Sequence, residues 1–341
     1  MNDRILHHYL EEFRAGIPVE SSEAETLYDS LISGDNQFLL AELLTAWNEK
    51  GISEDELFDF ATIMRSRMKR ITCRRPDFVD IVGTGGSGAK TFNVSTAAAF
   101  VAAGAGVAVA KHGNRAATSA TGSADVLSQL GIDLESDTEA TEHNLNELGI
   151  CFLFAPRFHS LSLTLAKSRR SIAGPTIFNI LGPLCNPASP PKQVIGVWRR
   201  DLVTITANVA ARLGTTCSWV LHGRDGLDEM TLDGVTYAAE AAEGRVRMFE
   251  LEPDDLDVEP GGIGHLQVSS AAESASMIRA ILAGKHPDRT AVDLVLANAA
   301  LAVYLSSVAD TLGYAYIITR ESLASGAALA KLNELAAATK K

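Results

Sequence analysis

One segment constrains its surroundings more than any other: Gly83-Thr84-Gly85-Gly86-Ser87-Gly88-Ala89-Lys90-Thr91, set between two apolar runs. Before it, Phe78-Val79-Asp80-Ile81-Val82 reads as a buried strand; after it, residues 95 to 105 read as a helix. A strand that passes through glycine into a helix brings free N–H groups and the positive end of a helix dipole to one point. Phosphate binding is the natural use of such a loop. The other reading is a tight strand-to-helix turn without a ligand.

The alternation continues. Val107-Ala108-Val109-Ala110 is a second strand, residues 123 to 130 a helix closed by Gly131, and Cys151-Phe152-Leu153-Phe154 a third strand. Strands resume at Val194-Ile195-Gly196-Val197 and at residues 218 to 221, separated by a helix running to Leu213. Residues 231 to 252 read as short antiparallel strands, and helices dominate from 270. This predicts an α/β fold with a mainly parallel central sheet flanked by helices.

Residues 1 to 72 carry no strand signal. Ile5, Leu6, Tyr9, Leu10 and Phe13 share one helical face. Asp35 is placed to cap a run with Phe38, Leu39, Leu43, Leu44 and Trp47, and Ser53 with Glu56 forms a capping-box pattern. The expected layout is a small all-helical domain (1–72, joined by helices from about 160–187) beside a larger α/β domain (75–159 and 188–341).

Composition narrows the function. With 30 basic and 42 acidic residues the chain carries a formal charge of −12, a poor match to nucleic acid. Cys73, Cys151, Cys185 and Cys217 are scattered and form no zinc or disulfide pattern. No segment resembles a membrane span, and the start of the chain lacks an apolar leader core, so a cytoplasmic location is expected.

Two phosphate-loop alternatives fail on register. A Walker A loop needs lysine directly after its second glycine, and Ala89 intervenes before Lys90. A dinucleotide site needs an acid about 20 residues on. Residues 101 to 111 have none, and the second strand runs into the basic Lys111-His112-Gly113-Asn114-Arg115.

An ordered series of motifs spans nearly the whole chain. It comprises Asp80-Ile81-Val82 with the glycine loop, Thr91-Phe92-Asn93-Val94-Ser95-Thr96-Ala97, Lys111-His112-Gly113-Asn114-Arg115 and Gly122-Ser123-Ala124-Asp125. It continues with Phe154-Ala155-Pro156 and His159, Arg169-Arg170, Thr176-Ile177-Phe178-Asn179-Ile180-Leu181-Gly182-Pro183, Asn186-Pro187 and Asp225-Gly226-Leu227-Asp228-Glu229. Together these resemble the anthranilate phosphoribosyltransferase family, whose fold is related to the pyrimidine nucleoside phosphorylases.

The resemblance implies roles. Gly83, Gly85, Gly86, Ser87, Thr91, Asn93, Ser95, Thr96, Lys111 and Ser123 would bind phosphoribosyl pyrophosphate (PRPP). Asp228 and Glu229, with the Ser95 hydroxyl, would hold Mg²⁺. Gly83, His112, Asn114, His159, Arg169, Gly182 and Pro183 would line the anthranilate path. No nucleophile is assigned; His112 is the one candidate for a role beyond binding. A homodimer through the helical domain is also implied.

Two positions depart from the family pattern. Ser87 stands where an aspartate is usual, and Ala120 where a lysine is usual. The expectation is that PRPP still binds, with altered magnesium dependence. A relative acting on another aromatic amine or acid, a non-catalytic binding protein, and a nucleoside phosphorylase are the alternative readings.

Overall fold

The computed structural model describes residues 2–89, 91–116 and 121–340. Its strands are β1 (Val79–Gly83), β2 (Val109–Gly113), β3 (Ile150–Phe154), β4 (Lys192–Gly196), β5 (Cys217–Gly223), β6 (Thr236–Ala242) and β7 (Arg245–Leu251). They form one sheet in the order β3-β2-β1-β4-β5-β6-β7. Strands β1 to β5 run parallel, and β6 and β7 add antiparallel.

Helical crossovers make the parallel part. Between β6 and β7 the connection is a two-residue turn, Glu243 (φ 51°) and Gly244 (φ 73°), which suits a hairpin. Because β1 leads to β2 on one side while β4 pairs on its other side, the strand order reverses between β1 and β4. Ligands of open α/β sheets bind outside the carboxyl ends of strands at such a point.

Both sheet faces are covered, as the apolar strands require. Side chains alternate between two cores: Val79, Ile81 and Val194 join one, and Val82, Ile195 and Val220 the other. The first core holds the helices Val94–Gly104 and Arg289–Leu305. The second holds Asp201–Arg212 and the helices Asn2–Arg14, Ala24–Ser33, Gln37–Lys50 and Glu54–Arg67, with Leu163–Ser171 and Ile177–Leu184 beside them.

Several local expectations shift. Asn36, not Asp35, caps Gln37–Lys50, its side chain accepting the Leu39 N–H at 3.2 Å. Phe38 is 85% exposed, because the helical repeat places it opposite Leu40, Leu43, Leu44 and Trp47. The second strand begins two residues late, at Val109, where pairing with Ile150 starts. Thr138–His143, continued by a wider turn at Asn144–Leu148, was not anticipated, because its residues are mostly polar.

The Ser53–Glu56 capping box is present. Glu56 does more than cap: its fully buried carboxylate also accepts the Val19 N–H at 3.0 Å and the Lys50 ammonium at 2.9 Å. Replacing Glu56 with alanine strands a buried ammonium and two N–H groups. The expected cost is about 3 kcal/mol, read as a lower urea midpoint, with Glu56→Gln losing less. An unchanged midpoint would refute it.

Candidate active site

A cavity of about 820 Å³ opens at the carboxyl ends of β1, β2 and β3. The glycine loop forms one wall. Gly85 (φ 67°) and Gly86 (φ 80°) adopt left-handed backbone that side chains resist. Gly83 and Gly196, paired across β1 and β4, make room for Asp228: a Cβ on Gly83 would lie 2.4 Å from Asp228 Oδ2, and one on Gly196 1.5 Å from the Asp228 carbonyl oxygen.

The acidic pair sits where these features meet. Gly85 N–H donates to Asp228 Oδ2 at 2.7 Å, and Ser95 N–H donates to Glu229 Oε1 at 3.2 Å. The latter places a carboxylate at the N-terminus of Val94–Gly104, which its dipole favours. Burial raises the Asp228 pKa, opposed by the Gly85 amide and the Ser87 hydroxyl. Burial and the charge of Asp228 push Glu229 well above the usual carboxylate range.

Lys111 lies almost fully buried beneath the pair. Its ammonium donates to the Ile81 carbonyl at 2.5 Å and to Ser95 Oγ at 3.3 Å. Burial brings its pKa down to about 8, while Asp80, Glu229 and Asp228 oppose the drop. In this setting Lys111 is an internal counter-charge to the carboxylates.

The donor set tests as suitable for magnesium. Asp228, Glu229 and Ser95 offer only hard oxygen ligands, and like-charge repulsion between the buried carboxylates leaves them short of positive charge. Among the described residues no cluster of three or more His, Cys, Asp or Glu side chains could hold a metal without help from substrate or water.

Behind β1 and β2 lies a polar network whose roles were not anticipated. Fully buried Asp80 accepts the His112 N–H at 3.2 Å and the Asn186 amide at 2.8 Å. Asn186 also donates to the Ala110 carbonyl at 2.8 Å. Asn179 caps its own helix through Thr176 N–H and donates to the Thr84 carbonyl at 3.0 Å, tying that helix to the glycine loop. An acid inside an apolar strand was the available signal for Asp80, since a buried carboxylate demands partners.

The opposite wall is apolar and cationic. His112 Nδ1 meets the Gly182 carbonyl at 2.8 Å, so Nδ1 carries the proton and Nε2 is left an acceptor without a partner among the described residues. Burial, then neighbouring His159, lowers the His112 pKa to about 3; burial lowers His159 to about 4. Their rings stand 5.2 Å apart. Neither His159 nitrogen reaches a partner in hydrogen-bond geometry among the described residues, so the Cys185 carbonyl acts on it only as a nearby dipole.

Arg169 is the unusual group here. Its guanidinium stacks 5.2 Å from the Phe178 ring, and its Nε has no hydrogen-bond partner among the described residues. Burial lowers its pKa to about 10, and no carboxylate among the described residues counters that drop. A desolvated cation without an anion invites one.

Nearly all the singled-out residues line this one cavity: Gly83, Gly85, Gly86, Ser87, Thr91, Asn93, Ser95, Lys111, His112, Asn114, Ser123, His159, Arg169, Gly182, Pro183, Asp228 and Glu229. Thr96 does not. It is the third residue of the helix Val94–Gly104, fully buried and not part of the cavity lining. Ala120 and Lys90 lie outside the described residues.

The α/β part matches the model of the glycosyl transferase family, a/b domain, over residues 75–329. A relative from Moorella thermoacetica, named anthranilate phosphoribosyltransferase, is 43% identical over 325 residues, covering 95% of each chain. The chain belongs to the anthranilate phosphoribosyltransferase family. A solved anthranilate phosphoribosyltransferase from Thermus thermophilus superposes with a TM-score of 0.86 at 35% identity, covering 98% of this chain and 99% of the other. The Saccharomyces cerevisiae enzyme of the same family, solved in complex with PRPP and Mg, gives 0.86 at 27% identity, covering 98% of both chains. The fold is thus the nucleoside phosphorylase type expected from the motifs.

Proposed function

We propose that this enzyme transfers the phosphoribosyl group of PRPP to the amine of anthranilate, giving N-(5-phosphoribosyl)anthranilate and pyrophosphate, a step in tryptophan biosynthesis. One observation carries the reading to these substrates. A single cavity joins a glycine loop and helix N-terminus, suited to phosphates, to the uncompensated Arg169 guanidinium, suited to a carboxylate.

The loop N–H groups, Thr91, Asn93 and Ser123 bind phosphate oxygens in this reading. Asp228, Glu229 and Ser95 would hold Mg²⁺, which supplies positive charge against the departing pyrophosphate. Arg169 grips the anthranilate carboxylate, and Gly182 and Pro183 shape the ring's wall. The C1′–O bond to pyrophosphate breaks with its electron pair leaving on oxygen, and the amine nitrogen bonds to C1′. Anthranilate's amine is neutral at pH 7, so no strong base is needed. Neutral His112, its Nδ1 proton committed to Gly182, offers Nε2 to an amine N–H, and the proton that the nitrogen sheds on bonding to C1′ goes to the departing pyrophosphate. Catalysis is then positioning and electrostatics without a covalent intermediate.

The layout we propose is a helical domain (1–72, with about 160–187) against an α/β domain (75–159 and 188–341); Ser168 donating to the Gln37 carbonyl at 3.0 Å, which ties the later helical segment to the first, supports it. Exposed Phe38 (85%) and Leu163 (78%) sit on adjoining helices and support a homodimer through that domain, which sedimentation measures. No helix among the described residues is long and apolar enough to cross a membrane, and the cysteines are free, in keeping with the cytoplasmic location we propose. The acidic charge speaks against nucleic acid as a partner.

Ser87 bears on magnesium. An aspartate there would add negative charge beside Asp228, so the Ser87→Asp variant should reach half-maximal rate at lower magnesium than the wild type. Superimposable titrations would remove the idea. The activity itself is tested by anthranilate fluorescence: its loss should require protein, PRPP and magnesium together. PRPP binding without anthranilate consumption would shift the reading to another aromatic amine.

A further inference from the structure

We infer that Ser274, remote in sequence from every motif above, is a positioning residue that sets which end of the Asn93 side-chain amide faces the substrate phosphates. The inference rests on the phosphoribosyl-transfer reading for the identity of the ligand.

Asn93 lies where the glycine loop enters the helix Val94–Gly104, and it lines the cavity. An amide at this position helps an anion only if its NH₂ points inward; the carbonyl end would repel it. The scaffold decides the orientation. Asn93 backbone N–H donates to Ser274 Oγ at 3.0 Å, so that oxygen is an acceptor there and its own proton is free to be given elsewhere. It is given to Asn93 Oδ1 at 2.9 Å. A second hydroxyl, Thr121 Oγ1, donates to the same Oδ1 at 2.8 Å. Two donors converging on Oδ1 hold the carbonyl end outward and turn Nδ2 to the cavity as a donor.

Ser274 is itself placed firmly. It is fully buried in the helix Ala271–Leu282, whose cap is Ser270. The strand-like stretch before that helix clasps the same exit: Gln267 bridges Thr91, and the Leu266 carbonyl accepts Phe92 N–H at 3.3 Å. A segment far along the chain thus buttresses residues 91 to 93 one after another, and Ser274 adds a side-chain contact to a group facing the ligand.

Ser274→Ala removes both halves of the reciprocal bond and lets the amide turn. We expect the dissociation constant for PRPP with magnesium, read by calorimetry, to rise about tenfold, while KM for anthranilate changes less than about twofold. Ser274→Cys, which keeps a weak donor and acceptor, should fall between alanine and wild type. The deciding measurement is a double-mutant cycle with Asn93→Ala. If Ser274 acts through Asn93, the double variant binds PRPP no worse than Asn93→Ala alone. Additive losses, or a Ser274→Ala variant whose only change is a lower melting midpoint, would overturn the inference while leaving the functional reading intact. A wild-type protein that does not bind PRPP would overturn both.

Discussion

Replacing Arg169 with alanine is expected to lower kcat/KM for anthranilate about 1,000-fold, about 4 kcal/mol, while leaving PRPP binding within about twofold. The size follows from where the guanidinium sits. It is stacked on Phe178, largely desolvated and uncompensated by any carboxylate among the described residues. A charge held ready in this way gives up little when the substrate carboxylate arrives, and the planar fork can take both oxygens. Lysine at this position should recover only a small part, because a point charge neither forks nor stacks equally well. The same comparison with aniline, which has no carboxylate, isolates the contact: wild type and variant should use it equally poorly. Equal losses for anthranilate and PRPP would mean that Arg169 supports the cavity as a whole and does not grip the acceptor.

The second large effect is expected from a methyl group. Gly196→Ala should lower kcat/KM by at least about 1,000-fold and weaken magnesium-dependent PRPP binding, with a lower melting midpoint. The new Cβ would fall 1.5 Å from the Asp228 carbonyl oxygen and 2.3 Å from its carbon, so backbone must move, not a flexible side-chain tip. That backbone carries both Asp228 and Glu229, whose carboxylates accept the Gly85 and Ser95 N–H groups. Any retreat pulls the acidic pair away from the loop and the helix end together. Gly262→Ala, where an added Cβ meets nothing within 4 Å, is the matched control and should be near neutral. Full activity in Gly196→Ala would show that the acidic loop can shift without consequence, against this account.

Much of the cavity is legible in the residues alone. Glycine between an apolar strand and an apolar helix constrains local backbone, and local backbone is what neighbouring residues determine. The residues assigned to the site from the ordered motifs face one space, with the exception of Thr96. Thr96 illustrates the gap. Motif membership marks a stretch, but helical phase decides which of its side chains look outward, and here Ser95 does and Thr96 does not. Phe38 shows the same effect in the opposite direction, an apolar residue in one run with Leu39 and Leu43 that the helix turns to the outside.

What the sequence by itself determined is therefore the class of the fold, the glycine loop and the kinds of group gathered around it, because each depends on patterns repeating within a few residues. What only the tertiary structure decided is how those groups are held. Asp80 and Asn186 beneath His112, the cradle for Asp228 formed by glycines on separate strands, and Ser274 on Asn93 all join residues distant along the chain. Buried donors and acceptors must find partners wherever packing brings them, and packing is settled by the whole chain at once, so no local pattern records who the partners will be.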